Sequence, residues 1–90
     1  MAFLSIIWDL DDDPHGNVQH CLEHEVTKEE VEEVVQDRAS RPGVSRTSGE
    51  PALFGDTHTG RHLIVVYEAV DEDTIYPITA YDVDREGAIS

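Results

Sequence analysis

The sequence predicts an α+β domain: an N-terminal strand, two helices, then a three- to four-stranded antiparallel sheet with both helices on one face. Three observations carry this. Residues 26–35, "VTKEEVEEVV", combine a helix start signal with helical periodicity. Residues 61–68, "RHLIVVYE", are apolar on both faces, as a strand covered above and below must be. Thr59-Gly60 just before them is a turn, so this strand and the short run "PALFGDT" form a hairpin.

Taken in order, "FLSIIW" (residues 3–8) is short, apolar and closed by acids, which reads as the first strand. Asp13 is suited to cap a first helix beginning at Pro14, with aspartates at its positive end. Val18, Cys21 and Leu22 fall at i, i+3 and i+4 and form its buried stripe. In the second helix Thr27 is the N-cap and Glu30, three residues on, completes a capping box. Val26 can staple onto Val31, and the helix ends near Asp37. Val31, Val34 and Val35 face inward, leaving the glutamates a solvated face. "RASRPGVSRTSGEP" is a polar loop in which "VSRTS" is a candidate edge strand. "IYPITAYDV" is the last strand. Pro77 lacks an N–H, so this strand must lie at an edge or contain a bulge. Residues 1–85 make one domain, and 86–90 are expected as a loose tail.

Composition bounds the function. Cys21 is the single cysteine in 90 residues, so neither an intrachain disulfide nor a thiolate zinc site is available. The start has no basic n-region and is not a secretory signal. No run approaches the roughly 20 apolar residues of a membrane span. The expectation is a soluble cytoplasmic protein. Net charge is -14, which repels nucleic acid and anionic membrane unless the cations are gathered. They are: residues 38–62 hold Arg38, Arg41, Arg46 and Arg61 against Glu50 and Asp56, whereas residues 1–37 set 11 acids against Lys28. The Asp11–Asp13 cluster lacks the spacing of a calcium loop. His20 and His24 are four apart, but no third ligand is evident. No metal and no cofactor is expected.

The chain resembles the BrnT-like toxins of the RelE-like toxin–antitoxin ribonuclease group. "IIWD" (6–9) looks like the opening strand of that family, and "HEVTKEEVEEVVQD" (24–37) like its helix entry. "FGDTHTGRHLIVVYE" (54–68) looks like its Gly-Arg hairpin, and "IYPITAYDV" (75–83) like its Ser-Ala-Arg strand. The resemblance implies a metal-independent endoribonuclease restrained by an antitoxin, with Arg61 in the hairpin, Tyr81 at the late arginine position and His24 at the helix joint. The chain differs from the family in its first helix, "HGNVQHCLEH", which has no fixed cation, in Glu25 where the family has glycine, and in Tyr81 itself.

Two function classes follow. As an enzyme, the chain would use Arg46, Arg61, His58 and Tyr81, with Arg46 and Arg61 converging on an anion beside His58 or His62. Pairing of Arg61 with Glu50 or Asp56 would abolish that site. As a binding module, it would hold a basic antitoxin or another basic protein through its acidic helices. A third reading is a divalent-cation binder at Asp11–Asp13. A homodimer through an exposed sheet edge is compatible with either of the first two.

Overall fold

The structure, a computed structural model, describes residues 5–83. Strands β1 (Ser5–Ile6), β2 (Arg41–Val44), β3 (Pro51–Asp56), β4 (His62–Ala69) and β5 (Thr74–Asp82) form one sheet in the order β1-β5-β4-β3-β2. Helices α1 (Asn17–Leu22) and α2 (Lys28–Gln36) pack on it. Four strands form an antiparallel meander. The sheet is mixed rather than wholly antiparallel, because β1 joins the outer edge of β5 in parallel through Ser5↔Thr74 and Ile6↔Ile75. Apolar patterning marks a strand without marking its direction, so the sequence could not supply this.

Alternation along β4 sorts the sheet into two faces. Leu63, Val65 and Tyr67 pack with Val31, Val34 and Val35 of α2, with Cys21 of α1, and with Val26 between the helices. Ile64 and Val66 point the other way, against Ala52, Phe54, Ile78 and Tyr81. The buried hydroxyl of Thr79, opposite Val66, has no hydrogen-bond partner. An unpaired buried hydroxyl costs about 1 kcal/mol or more. Thr79→Val is therefore expected to raise stability by about 1 kcal/mol in urea unfolding.

Helix α2 follows its sequence signals. Thr27 Oγ1 accepts from Glu30 N at 3.2 Å, Glu30 Oε1 accepts from Thr27 N at 3.0 Å, and Asp37 is the C-cap. Helix α1 does not. It begins at Asn17 rather than Pro14, its N-cap is Gly16, and Asp13 is not the cap. Asp13 Oδ1 instead accepts from His15 N at 2.9 Å in a local turn. The carboxylate at the helix start comes from Asp9, whose Oδ2 accepts from Asn17 N at 2.9 Å. Gly16 permits that approach: a Cβ there would lie 2.7 Å from Asp9 Cβ. The helix ends at Leu22, so His20 and His24 do not share a helical face.

Of the two alternatives, Pro77 takes the bulge: β5 lies between β1 and β4 and is not an edge strand, although β1 ends before Pro77. The β4–β5 register shifts between Val66 and Tyr67, and Tyr67 pairs with Pro77. The carbonyls of Asp73 and Ile75 face β1, accepting from Ser5 N and Ile7 N. The Pro77 carbonyl accepts instead from the side chain of Asn17 at 2.9 Å. Strand pairing along this edge thus gives way to a side chain where proline offers no donor. The second strand forms at Arg41–Val44 and not over "VSRTS". Ser45 and Thr47 hydroxyls bond each other at 3.2 Å, and Gly49 takes φ 75, which turns residues 45–49 back on themselves. Residues 84–90, including the expected tail at 86–90, lie outside the described residues.

Candidate functional site

Arg61 follows the turn that closes the β3–β4 hairpin. Gly60 has φ 91, which glycine adopts freely, and Arg61 N donates to Thr57 Oγ1 at 3.1 Å. Two residues before Leu63, Arg61 points to the helix-covered face. There its guanidinium meets two carboxylates and a carbonyl. Nε and Nη2 bind Asp82 side-on at 3.1 and 2.7 Å. Nη1 donates to Glu30 Oε1 and Oε2 at 2.8 and 2.9 Å and to Glu25 O at 2.8 Å. All three nitrogens are engaged, in the planar fork geometry that suits carboxylates. The side chain is 27% exposed and that of Glu30 19%.

The electrostatics follow. The bonds to Asp82 and then Glu30 raise the Arg61 pKa further above its already high value. Asp82 is held below the usual 3.8 by the Arg61 bond. Burial alone would push Glu30 up, but hydrogen bonds from the Thr27 backbone and from Arg61 outweigh it and hold the carboxyl below 4.5. Glu25 has φ 61, a left-handed conformation costing a non-glycine residue about 1 kcal/mol. Its carbonyl is thereby turned to Arg61.

The other expected site residues do not join Arg61 in one anion site. Arg46 lies in the turn after β2 and lines a cavity of about 240 Å³ with Phe54, Ile64 and Tyr81, on the face away from the helices. The convergence of Arg46 with Arg61 is therefore corrected: the sheet separates them. Nor are Glu50 and Asp56 the partners of Arg61, since Asp56 instead binds His62 at 2.8 Å. Tyr81 shares the Arg46 cavity, and its ring centroid is 5.6 Å from that of His24.

His58 is elsewhere again. Its backbone N donates to Glu33 Oε1 at 2.9 Å, and its ring Nδ1 is 3.6 Å from Glu33 Oε2. With Glu29, Glu32, Glu33, Gln36 and Asp37 it lines an open groove of about 760 Å³ along α2. Glu32 also accepts from Trp8 Nε1 at 3.1 Å, fixing the groove to the segment after β1.

Asp11 pairs with Lys28 at 2.9 Å, and among the described residues no cluster of histidines, cysteines or carboxylates has the geometry of a metal site. No helix of the described residues is long and apolar enough to cross a membrane. The sequence reading missed the Asp56–His62 pair as a unit. A hairpin centred on residues 58–60 sets these two opposite each other, so the signal was present in the spacing. No family model, no curated protein and no solved structure matches the chain.

Proposed function

We propose that the chain is a scaffold of the RelE-like, BrnT-type layout that works by binding a basic protein partner, an antitoxin or another basic protein, through the carboxylates of α2. One observation carries the reading: the hairpin arginine is closed between Glu30 and Asp82, while Glu29, Glu32, Glu33 and Asp37 line an open groove. Such a surface attracts a cationic partner over a distance set by salt. The test is capture from the native host by wild type and by the double variant Glu29→Gln, Glu33→Gln. Wild type is expected to retain a basic protein at low salt and release it at high salt. The double variant is expected to lose most of the capture with its melting temperature unchanged. Equal capture by both proteins contradicts the reading.

A metal-independent endoribonuclease is a second reading, favoured by one arrangement. Three positions of the family resemblance lie around one corner: Arg61 bonds Glu25 O beside His24 and Asp82 beside Tyr81, and the His24 and Tyr81 rings are neighbours. RNA cleavage that persists in EDTA and disappears in Arg61→Ala, under conditions where the variant is folded, supports this reading. Absence of cleavage by the wild type removes it.

A further inference from the structure

A second concave site lies where β2 meets the turn end of the β3–β4 hairpin. We propose that it is an oxyanion site, taking the phosphate or carboxylate group of a small ligand between the Arg41 guanidinium and His62 Nε2. The cavity measures about 330 Å³ and is lined by Asp37, Arg41, Phe54, Asp56 and His62, with Ala39 and Gly55 completing the wall. That volume is in the range of small-molecule sites.

The sheet builds it. Asp56 and His62 are register partners, and His62 Nδ1 lies 2.8 Å from Asp56 Oδ1. An ionised carboxylate only accepts, so Nδ1 carries the proton and the tautomer is fixed. Nε2 is then the nitrogen offered to a ligand. It has no hydrogen-bond partner among the described residues, yet the buried side-chain atom without a partner is Thr79 Oγ1, so Nε2 reaches solvent. In the protonated ring it is a charged donor.

Arg41 pairs in register with Phe54, two residues before Asp56, which sets Arg41, Phe54, Asp56 and His62 on one face. The roughly 7–8 Å diagonal from Arg41 runs to Asp56 on β3, and His62 lies one strand further on, so the two cations reach the cavity from opposite sides of Asp56. The Arg41 side chain is exposed and makes no hydrogen bond or ion pair among the described residues, in contrast with that of Arg61. The Phe54 ring supplies an apolar wall. It lies over Gly43, where a Cβ would come within 2.6 Å of it. Two acids bound the ligand's size. Asp56 already accepts from His62, and Asp37 already accepts from Ala39 N at 2.9 Å. With a net charge of -14 around them, they leave room for one compact anionic group and oppose a polyanion.

The test is an NMR titration of the His62 ring signals. Inorganic phosphate and acetate are added in separate arms, with ionic strength held constant by chloride. A saturable shift is expected, and in Arg41→Gln the affinity should fall about tenfold, the worth of one charge-assisted hydrogen bond. His62→Gln, followed through the Phe54 and Gly55 amides, should show a similar loss. Tighter phosphate binding assigns a phosphoryl ligand and tighter acetate binding a carboxylate; either supports the site. No saturable shift with either anion, a shift that chloride reproduces, or equal affinity in Arg41→Gln overturns it.

Discussion

Replacing Asn17 by alanine is expected to cost the fold about 3 kcal/mol. Asn17 is 3% exposed. Its Oδ1 accepts from Asp9 N at 2.9 Å, and its Nδ2 donates to Ile7 O at 3.0 Å and Pro77 O at 2.9 Å. One side chain therefore joins the segment after β1, the first turn of α1 and the edge of β5. Truncation leaves the Pro77 carbonyl buried and unpaired, where a lost partner costs the full desolvation of the group. Asn17→Asp offers no rescue, because it removes both donors and sets a second carboxylate beside Asp9. Urea unfolding measures the effect. A loss below about 1 kcal/mol would mean that water replaces these bonds and that this corner is open.

Arg61→Ala is expected to cost about 2 kcal/mol near neutral pH, a figure already discounted for the partial exposure of the clamp. The variant also has a pH signature. Glu30 and Asp82 both titrate lower in the folded chain than their ordinary 4.5 and 3.8. A depressed carboxylate contributes stability that is complete above its unfolded value and is lost as pH falls through its folded value. The wild type should therefore lose this contribution on acidification below the ordinary carboxylate range, and the variant keeps only the share that the Thr27 hydrogen bonds give Glu30. The difference in unfolding free energy between the two proteins should narrow as pH falls from 7 through 4 and below. A difference that stays constant across that range places the stabilisation outside the ion pairs.

The features legible in the sequence are those fixed by neighbours along the chain. The Thr27–Glu30 capping box spans four residues, and Thr59-Gly60 sets the hairpin turn and the side on which Arg61 projects. Pro77 announces its own irregularity through the donor it lacks. What the sequence withheld depends on contacts through space. Asp13 and Asp9 are equally good acids for a helix start, and only the close approach at Gly16 decides for Asp9. Arg61 had two acids nearby in sequence, Glu50 and Asp56, yet it faces the helices and meets Glu30 and Asp82. Glu25, where the resembled family carries glycine, takes the positive φ that glycine adopts most easily. Its position in the sequence was readable, but the bond from its carbonyl to Arg61 was not.

The Arg61 charge is satisfied inside the molecule by Glu30 and Asp82, and the proposed binding role of the α2 carboxylates depends on its staying so. The most direct measurement follows the Arg61 Nε–H signal by NMR while a single-stranded RNA oligonucleotide is added. A signal protected from exchange and unmoved by RNA is the expected result. A saturable shift of that signal, with the Glu30 and Asp82 contacts released, would contradict the account.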